Sequence, residues 1–172
     1  VDIGSHSIKV AHIEGKGAAL RLAHWGIIPF DKGESSPEEK KQQSINSLKA
    51  FLIQKGIQTK RAAASVSGNS VIVRYVKFPL LTKDELRATL SAEAEPFIPF
   101  DINEVYLSFH ILNEIVEDGQ RKMESVLVAA KKDVIQSRVE ILEGAGLKPA
   151  IIDVDSFALE NVFEAMLDPA QN

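Results

Sequence analysis

The sequence predicts a mixed α/β chain in which a smaller α+β block is inserted into a first domain. Three observations carry that expectation. Val1–Phe30 reads as strand, tight turn, strand and a further β-like run, an antiparallel meander. Ser36 with Glu39, and Thr82 with Glu85, each form a capping box ahead of a run with helical spacing. From Val105 onward, β-alternation and helical periodicity succeed one another to the end of the chain.

In the opening stretch, Val1 and Ile3 are β-branched, and Ile8 and Val10 resume the pattern after Gly4-Ser5-His6-Ser7. Gly15-Lys16-Gly17 marks the next turn, and Ala18–Phe30 the third run. Trp25, the one tryptophan, is expected to pack in the core. Asp31–Pro37 is polar and turn-rich. Pro37 falls at the first position of a helix that carries Ile45, Leu48 and Leu52 on one face and stops at Gly56. Arg61–Ser67 is a short strand of small residues, and Ser70–Phe78 is the strongest strand in the chain.

Pro79-Leu80-Leu81 breaks that strand, and a capped helix follows with Leu86, Leu90, Ala94 and Phe97 at helical spacing. Pro96 and Pro99 end it and force an extended Ile98-Pro99-Phe100. Val105, Leu107, Phe109 and Ile111 alternate along a strand, and Asn113–Lys122 reads as a polar hairpin loop before the returning strand Met123–Ala130. Asp133 caps a helix closed by Gly144 and Gly146, and Ala150–Val154 is the next strand. Asp155 or Ser156 caps a last helix with Phe157, Val162, Phe163 and Met166 inward, and Asp168–Asn172 reads as a frayed tail. A boundary near Phe78–Thr82 and a return near Gly146–Ala150 make the middle block the insertion.

Composition narrows the classes. The chain has 172 residues, 45% of them hydrophobic and 26% charged, so it can bury a core and is not disordered as a whole. A net charge of −4 gives no nucleic-acid footprint. The absence of cysteine removes disulfides, thiol catalysis and cysteine-zinc sites. No apolar run approaches the roughly 20 residues that span a bilayer. The first residue falls inside an apparent strand and is not Met, so the native start is expected to lie upstream.

The chemistry concentrates at the opening turn. Gly4 lets the backbone approach a ligand, the small residues after it can aim N–H groups at one anion, Asp2 could hold a cation through water, and Lys9 adds a positive charge. An ordinary hairpin with a polar turn accounts for the same residues. His6, His12, His24 and His110 lack the spacing of a helical metal pair, and no GxxxxGK[ST] loop is present. The turn feeds a strand rather than a helix, so the Rossmann fingerprint does not apply.

Asp2–Lys9 (DIGSHSIK) resembles the first phosphate loop of actin-like ATPases. Ser70–Pro79 (SVIVRYVKFP), Glu93–Phe100 (EAEPFIPF), Val126–Lys132 (VLVAAKK) and Leu147–Leu159 (LKPAIIDVDSFAL) sharpen the likeness, in that order along the chain, to the PilM family of type IV pilus assembly proteins, relatives of FtsA. The resemblance implies an incomplete actin-like (ribonuclease H-like) core subdomain over 1–78, an inserted SHS2-like α+β subdomain over 79–148, and a return strand and connecting helix over 149–172.

It also implies ATP and magnesium as ligands, with slow hydrolysis at most. Asp2 would hold magnesium through water, the N–H groups of Gly4, Ser5, His6 and Ser7 would cradle phosphates, Lys9 would neutralise them, and Asp155 would orient the attacking water. Relatives close the nucleotide between two lobes, so these 172 residues alone are expected to bind ATP weakly or not at all. The implied partner is the short N-terminal cytoplasmic peptide of the inner-membrane protein PilN. Leu80, Leu81, Phe97, Ile98 and Phe100 are expected to line its groove. The implied place is the cytoplasm, at the inner face of the inner membrane through partners, with self-association as an option and neither nucleic-acid binding nor membrane insertion. An FtsA-like division protein, the cytoplasmic domain of a type II secretion platform and a small-molecule kinase of the superfamily are the alternatives.

Overall fold

The computed structural model describes residues 1–30 and 36–166, less the side chains of residues 18, 83, 165 and 166. The expected turn at 31–35 and tail at 168–172 lie outside the described residues. The chain divides into two compact units, Val1–Val66 with Gln136–Asn172, and Ser67–Ile135. The middle block is therefore an insertion, but its limits differ from the expectation. The strand that follows Gly68 hydrogen-bonds only within the second unit's sheet, so the chain crosses at Ser67 rather than at Pro79. It returns inside a helix, at Gln136.

In the first unit, β1 (Asp2–Ile3), β2 (Ser7–Glu14) and β3 (Arg21–Pro29) form the antiparallel meander. β4 (Arg61–Val66) and β8 (Lys148–Val154) form a parallel pair. Helix α1 (Pro37–Gln54) starts on the Ser36–Glu39 capping box, with both reciprocal bonds made. Helix α3 (Lys132–Gly144) is followed by a turn through Gly146, whose φ of +85° suits glycine. Leu48 and Phe51 of α1 and Ile141 and Leu142 of α3 pack with Ile3, Ile8 and Val10 of the meander and Ala64 of β4. One face of the strands is thus covered by helices. Lys41 ties α1 to α3 by bonding Glu140 at 3.1 Å.

The opposite face is barer. Ile27 pairs with Lys9 and Trp25 with Ala11, and both large side chains are exposed, Trp25 at 66%. The expectation of a core tryptophan fails because period-2 alternation fixes Trp25 on the face away from α1 and α3. Helix α4 (Asp155–Met166) follows β8 directly, and its Val162 and Phe163 are exposed rather than inward.

In the second unit, β5 (Val71–Pro79), β7 (Gln120–Lys131) and β6 (Val105–Glu117) form one antiparallel sheet in that order. Helix α2 (Lys83–Ala94) is started by the Thr82–Glu85 capping box and lays Leu86, Leu90 and Ala94 against Val76, Phe78, Met123 and Leu127. The expected polar loop at Asn113–Lys122 is instead a hairpin arm with a two-residue turn. Asp118 and Gly119, at φ +51° and +74°, supply the left-handed pair that such a turn requires. Charged side chains knit the arm: Arg121 bonds Glu114, and Glu117 accepts from Lys77 and Lys122. Those two ammonium groups, Lys77 first, hold the Glu117 carboxyl down at about 2.

Gly26 of β3 shows how tightly α1 seats on the meander. A Cβ there would stand 2.4 Å from the Phe51 ring. Gly26→Ala should therefore destabilise the protein by about 1–3 kcal/mol through overpacking, read by chemical denaturation. A variant as stable as the parent would show that Phe51 is free to move aside.

Candidate functional site

The opening turn is built by three bonds. The Gly4 N–H donates to the Ser7 carbonyl at 3.0 Å and closes the loop. The Phe30 N–H donates to the His6 carbonyl at 2.9 Å and ties the turn to the chain leaving β3. Lys9 Nζ bonds Asp2 Oδ2 at 2.8 Å across the β1–β2 ladder, where the two residues are register partners. A Cβ on Gly4 would lie 3.2 Å from the Ser7 carbonyl oxygen, so the close turn is specific for glycine or for a small shift of Ser7.

Of the four amides expected to face an anion, that of Gly4 is thus engaged inside the turn. Among the described residues, the amides of Ser5 and His6 donate to no group of the chain. They are the two donors the turn leaves open.

The second half of the site comes from the far end of the unit. Asp2 and Lys9 line a cleft of about 970 Å³ together with Asp153 and Asp155. Asp155 opens α4, and its Oδ1 accepts from the Ser156 N–H at 2.7 Å. Asp153 Oδ1 accepts from the Val154 N–H at 2.8 Å. Among the described residues, the other oxygen of each carboxylate has no hydrogen-bond partner. The site therefore collects Asp2 and Lys9 from the meander and Asp153 and Asp155 from β8 and its exit, around 150 residues apart in sequence but on one cleft.

Two residues of this neighbourhood were not singled out from the sequence. Asp153 stands two positions before Asp155, a spacing that puts both on one side of an extended chain. Arg138 of α3 is half-buried, and its Nε has no hydrogen-bond partner. Burial pushes its guanidinium down, and the charge of Asp2 acts to hold it up. No local sequence signal marks Arg138, because only the packing of α3 on the meander brings it within the field of Asp2. Among the described residues, no group of three or more His, Asp or Glu side chains could hold a metal ion.

The expected groove residues sit in the second unit and differ in kind. Leu80 is 37% and Phe97 41% exposed, and both present surface. Leu81 and Phe100 are half-buried against the core, and Lys131 Nζ lies 4.8 Å above the Phe100 ring. Ile98 is buried in the core of this unit. The helix ends at Ala94, and the tighter 3-10 turn at Glu95–Phe97 rotates Phe97 outward and Ile98 in.

A family model described as type IV pilus assembly protein PilM matches residues 1–171. Among solved structures, the PilM-PilN type IV pilus biogenesis complex is similar with a TM-score of 0.80 and 26% identity, over 96% of this chain and 49% of that one. The cytoplasmic domain of EpsL, an inner-membrane component of the type II secretion system of Vibrio cholerae, is similar with a TM-score of 0.58 and 13% identity, over 92% of this chain and 56% of that one. At that identity the EpsL likeness is one of fold. The chain spans about half the length of these solved chains.

The Asp2–Lys9 pair is half-exposed on both sides, so its charges are screened and contribute little to folding. Asp2→Asn and Lys9→Met should each change unfolding free energy by less than about 1 kcal/mol. A much larger loss in either variant would make the pair a structural strut rather than a ligand site.

Proposed function

This chain belongs to the PilM family of type IV pilus assembly proteins, and from that membership we propose that it works as part of an actin-like scaffold of pilus assembly, one that binds magnesium-ATP when a second lobe completes the site and that docks a short PilN peptide. The observation that carries this proposal is the family match along 1–171, joined to the 0.80 likeness to a PilM-PilN complex. In this reading the protein acts in the cytoplasm and reaches the inner membrane through that partner.

The residues of the first unit fit half of a nucleotide site. The open amides of Ser5 and His6 would receive phosphate oxygens, as backbone nests do. Lys9 would turn from Asp2 toward the phosphates, which costs little because an exposed pair is weak. Asp2, once released, would hold a hydrated magnesium ion. The cation would depend on phosphate and water for its other ligands, the usual manner of Mg²⁺ in such sites. Asp155 would orient a water through the oxygen that Ser156 leaves free. ATP itself supplies a polyanion and a cleavable phosphoanhydride; the chain supplies donors, charge and position.

Partner docking would rest on exposed apolar anchors in the second unit. Leu80 and Phe97 are suited to enter or receive an extended peptide, since both combine a large apolar side chain with open surface. Phe97→Ala in the full-length protein should weaken binding of a labelled N-terminal PilN peptide at least about fivefold, about 1 kcal/mol, with the circular dichroism spectrum unchanged. Unaltered affinity in a folded variant would remove Phe97 from the interface, and no binding of the peptide by the parent would overturn the scaffold proposal itself.

A further inference from the structure

The end of the first unit away from the Gly4 turn gathers positive charge. Several chain junctions meet there, and bonds between them fix the grouping. β2 and β3 close at the register pair Glu14↔Arg21, whose side chains bond each other, with Lys16 in the turn between them. His12 Nε2 lies 3.0 Å from Thr59 Oγ1, which sets the segment leading into β4 against the end of β2. Arg61 and Lys148 are the first register pair of the parallel β4–β8 ladder, and the Lys148 N–H donates to the Lys60 carbonyl at 2.6 Å. Lys55 closes α1 shortly before Lys60.

All six cationic side chains are exposed. Lys55 Nζ lies 6.0 Å above the Phe51 ring. Among the described residues, Lys16, Lys55, Lys60, Arg61 and Lys148 form no ion pair. The carboxylates of this end are Glu14, which Arg21 holds, and Glu143 in the last turn of α3. Six positive charges thus stand against two negative ones, in a chain whose net charge is −4. The dipole of α1 accounts for a cation at its C-cap, Lys55. Lys16, Lys60, Arg61 and Lys148 sit on turns and strand starts, where no such local reason applies.

We propose that this end is an interaction surface for an anionic phospholipid bilayer, met by charge and by two apolar side chains, with no helix entering the membrane. Placement selects this partner over a small anion. Of the six cations only Arg61 lines the cleft. The others are spread over separate turns and strand starts, an arrangement that many headgroups can meet at once and one phosphate cannot. Apolar exposure selects it over an acidic protein segment. Leu20, at the exit of the Lys16 turn, is 60% exposed, and Ile53, in the last turn of α1, is 72% exposed. At a membrane surface the cations meet phosphates while such side chains reach the upper acyl region. An acidic segment would use the cations and leave both in water. This inference rests on neither nucleotide nor PilN binding.

The test mixes the full-length protein, without PilN, with vesicles of phosphatidylglycerol and phosphatidylcholine in about equal parts, or of phosphatidylcholine alone, and reads binding by co-sedimentation. The anionic vesicles should carry the protein down and the neutral ones should not, and about 0.5 M salt should release it by screening. Lys60→Glu combined with Lys148→Glu should weaken binding at least about tenfold; both changes leave the backbone bond between these residues in place. Lys40→Glu combined with Gln42→Glu, a similar change of charge near the start of α1, should weaken it less than about twofold. Equal binding to both kinds of vesicle, binding to neither, or equal effects of the two double variants would overturn the proposal. So would poly-glutamate in solution binding as tightly as the anionic vesicles, since the end would then serve an acidic protein segment.

Discussion

The first unit depends on β1, a strand of two residues that stands where two sheets meet. Ile3 anchors it in the core with Ile8, Asp2 is held by Lys9, and the Val1 amine reaches β4. Remove it, and β2 and β4 present facing edges of unpaired backbone, which a folded chain does not leave open at no cost. The carboxyl end of β1 becomes the Gly4 turn with the open Ser5 and His6 amides.

The charges around β1 explain why the turn can be both stable and available. Asp2, Asp153 and Asp155 share a cleft with Lys9, and Arg138 feels the field of Asp2. Lys9 and Asp2 satisfy one another in the absence of a ligand, but at the exposure of this pair the bond is weak and readily exchanged. A polyanion would offer Lys9 a stronger partner and leave Asp2 free for a cation. The fold itself, a partial actin-like core with an inserted α+β unit, places these groups at the exits of β1 and β8, where ligands of open α/β sheets usually bind.

Local chemistry made much of this fold legible in the sequence. Both capping boxes form as their spacing predicts, and the opening strand–turn–strand is present because Val1, Ile3, Ile8 and Val10 alternate about a glycine turn. What the sequence left hidden is non-local. The strand Val71–Pro79 belongs to the inserted unit because β7 pairs with it, a choice that no residue within the strand encodes. The polar arm at 113–122 is held by backbone pairing and cross-strand ions, so its composition resembles a loop. Trp25 is exposed because the face it occupies is turned away from α1 and α3, and Ile98 is buried because Pro96 changes the helical period at the corner. At the site, Asp2, Lys9 and Asp155 share one cleft, while Arg138 was invisible until α3 packed against the meander.

The central claim is that the Gly4 turn receives phosphate through the two amides it leaves open. Nitrogen-resolved NMR of the full-length protein, titrated with magnesium-ATP, addresses that claim directly. The account predicts that the Ser5 and His6 amides shift first and saturably, with Lys9 following, and that Lys9→Met weakens the response without moving it elsewhere. Saturable nucleotide binding that leaves Ser5 and His6 unmoved would contradict it.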